Sequence, residues 1–244
     1  MYKNTNDTTV TNTFTSAPST KRKQILIEMI GDLSCPWCWV AKRRLDQVLA
    51  SSDCASLYNV QVRNLPFLLN PSLPPAEELK CLHFPPTKPE NFSPELLRCA
   101  LRVGLGSTTN FRANNLARCA STVQAHCLLK FAEQQTDDLG IQYMLVERLF
   151  NSFLGNGTYP TIENMLKYVK KVGLNVEQAR MFLESREEEG NLRVESLQYA
   201  NRGVRQLPFF ILNGKAMFAG YQDHTIIMQA MKICPILHST PSNF

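Results

Sequence analysis

Residues 24–32 read "QILIEMIGD", an apolar and partly β-branched run with lysine before it and Gly-Asp at its end. Such a run predicts a buried strand. The period then changes. Cys38, Ala41, Leu45, Val48 and Leu49 share one helical face, and Lys42, Arg43, Arg44 and Asp46 fall largely elsewhere, so an amphipathic helix follows. A second strand, "NVQVRNLPF", opens at Asn59. Strand, helix and strand within about 40 residues make a βαβ unit, a parallel pair joined by a right-handed crossover.

The stretch 66–94 is rich in proline and predicts only a short turn near 76–82. Ser93 then reads as an N-cap and Pro94 as a first helical residue. Three helical stripes follow. One runs through Leu116, Ala120, Val123, Cys127 and Phe131, and a second through Leu139, Tyr143, Val146, Leu149, Phe150 and Phe153. The third uses Ile162, Met165, Leu166, Val169 and Val172, with Gly173 as its stop. "NVEQ" at Asn175 opens a further helix with a capping-box pattern. A polar helix covers about 189–202. "ILNGKAMF" then sets two apolar runs around Asn213-Gly214, a strong hairpin signal, and a last helix starts at Asp223.

The order β-α-β, helices, then α and ββα predicts an α/β domain split by a helical insertion. The expected organisation is a disordered tail at 1–23, a discontinuous domain at 24–70 and 187–237, and a helical domain at 71–186. The tail is rich in Thr, Asn and Ser and lacks an apolar core segment, so it does not read as a secretory signal. Its basic, hydroxylated make-up leaves organellar import open.

Charge narrows the partners. Of the net +5, the tail contributes +3 through Lys3, Lys21, Arg22 and Lys23 against Asp7, which leaves +2 for the rest of the chain. A body so nearly balanced offers no electrostatic footprint for nucleic acid. No run approaches the roughly 18 apolar residues of a membrane span. Eight cysteines without a secretory signal argue against a disulfide scaffold and for a reducing compartment, with the cytoplasm as default. Cys54, Cys81, Cys99, Cys119, Cys127 and Cys234 stand singly among apolar neighbours and read as buried free thiols. Cys119 and Cys127, about 12 Å apart along one continuous helix, are too distant to be bridged.

Cys35 and Cys38 are different. In "DLSCPWCWVAKRR" they bracket Pro36-Trp37 between the first strand and the helix. Pro36 suits the first helical position, which puts Cys35 where unpaired N–H groups and the helix dipole stabilise a thiolate. Cys38, one turn in, falls on the buried face. One thiol is presented and the other is sheltered and close, the layout that thiol–disulfide exchange needs. A zinc site would require two more ligands at sensible spacing, and no second C-x-x-C or C-x-x-H is present. No metal is therefore expected. A structural disulfide closing so small a loop would stabilise little.

C-P-W-C after a strand, together with the late "GVRQLPFFILNGKAMFAGYQ", resembles the DsbA-like thioredoxin-fold oxidoreductases, in particular their FrnE-type branch. "STVQAHCLLKFA" and "LFNSFLGNGTYPTIENMLKYVKKVGLNVEQARMFLES" are similar to that family's helical insertion, so the resemblance covers residues 25–232. The chain departs from the family pattern at Gly31 and Ser121, where the pattern has Ser and Asn, at Ala41 for Gly, and at Gln206-Leu207 for Gly-Val. The resemblance implies a thioredoxin fold with an inserted helical domain. It also implies a cis Pro208 facing the cysteines, with the Leu207 backbone free to pair with an extended client.

Other candidates stand beside these. Trp37 reads as an exposed docking surface and Trp39 as core. Glu28, mid-strand, is a candidate proton acceptor for Cys38, against the plainer reading of a carboxylate pointing to an edge, and Asp32 reads as a cap for the active-site turn. His126 is a candidate substrate-binding residue through the family match, against the plainer reading of a satisfied core histidine.

The expected function is a thiol–disulfide oxidoreductase exchanging a Cys35–Cys38 dithiol with protein or glutathione disulfides. Cys35, Cys38 and Pro208 would be catalytic, and no cofactor is expected beyond glutathione as a candidate co-substrate. The alternatives are a kappa-class-like glutathione-dependent isomerase or transferase, which shares the fold, and a chaperone-like binding module. These patterns specify no oligomeric state.

Overall fold

The computed structural model describes residues 22–79, 93–106 and 120–236. β1 (Lys23–Gly31) pairs in parallel with β2 (Tyr58–Pro66), joined by α1 (Pro36–Leu49) and the short α2 (Ser52–Leu57). After α3 (Ala76–Leu79) and α4 (Pro94–Arg102) come α5 (Val123–Gln135) and α6 (Leu139–Phe150), which runs into a π-helical turn at Asn151–Gly155. α7 (Ile162–Lys171), α8 (Val176–Ser185) and α9 (Glu187–Asn201) lead to the hairpin β3 (Phe209–Leu212) and β4 (Lys215–Ala219), and α10 (His224–Ile233) follows. The sheet order is β2-β1-β3-β4, with β3 antiparallel to both neighbours.

Local chemistry accounts for the element ends. Ser93 and Asn175 accept N–H groups at the starts of α4 and α8, and Pro94 occupies the first turn of α4. Asn213 takes a positive φ of 49° at the hairpin, a conformation asparagine tolerates. Its side chain also stitches the sheet: Oδ1 accepts from Leu26 N at 2.7 Å and Nδ2 donates to Pro235 O at 2.8 Å.

Alternation along β1 sets the two faces of the sheet. Ile25, Ile27 and Met29 pack with Ala41, Leu45 and Val48 of α1 and Ile227 and Met231 of α10. Ile30 faces the other way, with Leu65, Ile211 and Tyr199. β2 lies at an edge, and α6 covers it: Gln142, 2% exposed, accepts from Asn64 N at 2.8 Å and approaches Asn64 O at 3.4 Å. A side chain thus stands in for a missing strand. The core of the helical block is continuous with the start of α1, uniting Cys35, Cys38 and Trp39 with residues of α4 to α9.

Several sequence readings need adjustment. Lys23 does not belong to a tail; it begins β1, and its ammonium bonds the carbonyls of Met231, Lys232 and Cys234 at the end of α10. Residues 1–21, Cys81, Leu116 and Cys119 lie outside the described residues. α5 starts only at Val123, so the continuous helix assumed for Cys119 and Cys127 is not what the described residues show. Cys54, Cys99, Cys127 and Cys234 are free and buried. Burial pushes the Cys127 thiol up to about 12, with help from Glu189 and Glu188. Among the described residues, no helix is long and apolar enough to cross a membrane.

Candidate active site

The site forms where β1 ends. Asp32 O accepts from Cys35 N at 3.0 Å and closes the turn that leads into α1. Cys35 is the N-cap, in extended conformation, with Pro36 next in the helix. The Cys35 sulfur accepts from Cys38 N at 3.4 Å, the bond an N-cap oxygen would make in an ordinary helix. Both thiols are free.

Cys38 is fully buried and Cys35 nearly so, at 6% exposure. Cys35 is therefore less open than the sequence suggested, and Trp37, Leu207 and Tyr221 pack against the large cluster to which it belongs. The Cys38 thiol is pushed well above its ordinary range. Burial is the main cause, followed by the hydrogen bond and charge of Cys35, with the Asp32 carboxylate adding to the effect. The Asp32 backbone N–H, facing the Cys38 sulfur, acts in the opposite direction. Gly31 lets the sulfur come this close: a Cβ there would lie 3.0 Å from Cys38 Sγ.

Asp32 is more than a turn cap. Its Oδ1 accepts from Ser34 N at 2.9 Å and Thr122 Oγ1 at 2.8 Å, and Oδ2 accepts from Leu69 N at 2.8 Å. Burial alone would raise this carboxyl. His126 against it, with the N–H groups of Ser34 and Leu69, holds it below its ordinary value instead. His126 Nε2 lies 3.8 Å from Oδ1, too long for a hydrogen bond.

His126 is thus placed under the turn, at 5% exposure, and not on a surface a client could touch. Glu28 is also corrected. It is buried, but one residue before Met29 in the alternation, so it points to the face opposite α1 and Cys38. There it lies 3.8 Å from Arg63, its register partner on β2. The carboxylate beside the cysteines is Asp32.

On the open side, Trp37 is half-buried, its ring 6.5 Å from that of Tyr221. Arg44 Nε donates to the Tyr221 hydroxyl at 2.8 Å, tying this surface to α1. The Leu207–Pro208 peptide is cis. Because Ile30 pairs with Phe209, Pro208 lies level with Gly31 and Leu207 level with the active-site turn.

The other tryptophan, Trp39, is core. It stacks on Phe150 at 6.2 Å and donates to Glu147 Oε1 at 3.1 Å. Around it Lys42, 3% exposed, bridges Asp46 at 3.0 Å and Glu147 at 3.2 Å, and its ammonium sits 3.9 Å over the Tyr143 ring. This network clamps α1 to α6. Sequence periodicity missed it, since Lys42 is off the apolar face and is buried only because α6 covers it. Among the described residues, no three His, Cys, Asp or Glu side chains are grouped to hold a metal ion.

The geometry can now be set beside known proteins. No curated protein matches the sequence. A probable DsbA oxidoreductase from Streptomyces coelicolor has a similar structure: TM-score 0.63, 21% identity, covering 88% of this chain and 94% of that one. A 2-hydroxychromene-2-carboxylate isomerase gives 0.57 at 18% identity, covering 85% and 94%. The cytosolic disulfide reductase DsbM from Pseudomonas aeruginosa, with GSH, gives 0.54 at 16%, covering 76% and 84%. These likenesses show the α/β thioredoxin-type fold. With the family profile matching residues 27–232, the chain belongs to the DSBA-like thioredoxin domain family.

Proposed function

We propose that the chain is a thiol–disulfide oxidoreductase in which Cys35 attacks a client disulfide and Cys38 resolves the mixed disulfide. The observation that carries this reading is the asymmetry of the pair. Cys35 caps α1 with its sulfur, while Cys38 is wholly buried one turn in and its thiol is raised by that burial. Attack by the cap sulfur comes first because Cys35 keeps 6% exposure while Cys38 has none.

Trp37 and Leu207 supply the apolar docking surface, and Pro208 sets the backbone of Leu207 for an extended client strand. Clients are protein or glutathione disulfides, with no further cofactor. We place the chain in the FrnE-type branch, acting in the cytoplasm as a reductase or isomerase.

Trapping tests it. Cys38→Ser should accumulate covalent Cys35–client adducts, and Cys35→Ser almost none, as mapped by mass spectrometry under native conditions. Adducts on Cys38 would reverse the assignment. Full activity of Cys35→Ser with glutathione present would instead indicate a glutathione-dependent isomerase or transferase.

A further inference from the structure

Two of the buried cysteines outside the active-site turn converge with a methionine. Cys54, from the short α2, and Cys234, the C-cap of α10, share one apolar cluster with Met231, a turn back on α10. Cys54 Sγ lies 4.0 Å from Met231 Sδ. The Cys234 thiol donates to the Met231 carbonyl at 3.2 Å. Burial, then the charge of Cys234 and of Cys54, raises the Tyr58 hydroxyl above its ordinary value, so both thiols lie within electrostatic reach of one phenol.

The spacing of the first two sulfurs suits a metal ion. Bonds from thiolate to a metal ion such as zinc are about 2.3 Å long. Two sulfurs 4.0 Å apart on one ion then subtend about 120°, the angle of a trigonal site. Its third corner falls to Cys234, three residues from Met231. The donor chemistry selects the ion. Thiolate and thioether are soft ligands that favour Cu(I). Structural zinc wants four N, S or O ligands, and among the described residues no three His, Cys, Asp or Glu are grouped to start such a set.

We propose that Cys54, Met231 and Cys234 form a Cu(I) site at the start of the sheet, separate from the Cys35–Cys38 pair. The two lie at opposite ends of β1, about 26 Å apart along the strand at roughly 3.3 Å per residue. The site therefore stands whether or not the thiol–disulfide reading does. On binding, each thiol gives one proton to solvent and each thiolate donates an electron pair to copper, as does the thioether. Neither copper nor sulfur changes oxidation state. Two thiolates around one Cu(I) leave a charge of −1. The Lys23 ammonium offsets it, held beside the site by the carbonyls of Met231 at 3.0 Å and Cys234 at 2.8 Å. Entry is short, because Asp53, Ala55, Ser56 and Leu57 around Cys54 are all exposed.

The test is anaerobic titration of the reduced full chain with Cu(I) against the competing chelator bathocuproine disulfonate. A Cys35→Ser/Cys38→Ser background keeps copper off the active-site pair. One copper per chain should transfer, with an X-ray absorption shell of three sulfurs at about 2.3 Å. Cys54→Ser and Cys234→Ser should each weaken binding by at least about 10²-fold and Met231→Leu by about 10-fold, since even outer-shell partners of a metal are worth about 10–100-fold. Affinity should also rise by about 10²-fold per pH unit below the thiol range, because two protons leave. Equal retention of copper in folded Cys54→Ser, or nitrogen or oxygen in the copper shell, would overturn the proposal. Where the cysteine variants do not fold, Met231→Leu decides, since it conserves volume. Unchanged affinity and an unchanged three-sulfur shell in that variant overturn it.

Discussion

Gly31→Ala probes how tightly the buried sulfur is held. Gly31 has no positive φ, so its backbone tolerates alanine; only space is at stake. The new Cβ would meet Cys38 Sγ at 3.0 Å, Cys38 Cβ at 3.6 Å and Met29 Cε at 3.9 Å. The first contact is about 0.5 Å or more inside the usual separation of roughly 3.5–4.0 Å. Cys38 cannot retreat freely, because it is 0% exposed and walled by the helical block. Overpacking of this kind costs about 1–3 kcal/mol. In a chain of this size each kcal/mol lowers Tm by about 2–4 °C, so a fall of roughly 2–12 °C is expected. Function should suffer in one step only. A displaced Cys38 sulfur attacks Cys35 from the wrong position, where an error approaching 1 Å costs up to about 10²-fold. Capture by Cys35 should be unaffected. Thermal melts of reduced protein and the decay of the Cys35–client adduct measure both effects. Gly31→Ala that melts within 1 °C of wild type and resolves at its rate would refute the reasoning.

Three further outcomes follow from the same structure. Lys42→Met leaves Asp46 and Glu147 without their shared buried cation, and should cost about 3 kcal/mol, the low end for a broken buried pair because both carboxylates keep some solvent; Glu147→Gln in the same chain should restore part of it in a denaturation cycle. Asn213→Ala removes hydrogen bonds to Leu26, Gln24 and Pro235 and leaves alanine at φ 49°, a loss of about 3–4 kcal/mol in urea unfolding, with Asn213→Gly milder by about 1. The carboxyl of Asp32 is lowered in the fold, so its ionised form stabilises the protein above the unfolded value of about 3.9, and that contribution fades as pH falls through the lower folded value. The stability gap between wild type and Asp32→Asn should therefore narrow on acidification below about pH 4; a constant gap would contradict the assignment.

The local elements were legible because their determinants lie within a few residues of one another. Ser93-Pro94, Asn175 and Asn213-Gly214 each carry the polar group or backbone freedom that an element end requires. The same holds for Cys35-Pro36, where a cap sulfur and a missing N–H define both the start of α1 and the asymmetry of the two thiols. α2 was not legible, since six residues are too few to show a helical period. Periodicity also states which residues share a face, but not which neighbour covers that face. It left Glu28 a candidate partner of Cys38 and could not show that α1 lies on the other side of the sheet. It put Lys42 among solvated residues, and the docking of α6 buried it. The ground beneath the active-site turn was settled only in three dimensions. Thr122, 90 residues from Asp32 in sequence, and His126 reach that carboxylate because the start of α5 lies beside the turn that follows β1. Hydrogen bonds and charge contacts act over a few ångströms, whatever the separation along the chain, so the cysteines could be read from their motif and their electrostatic surroundings could not.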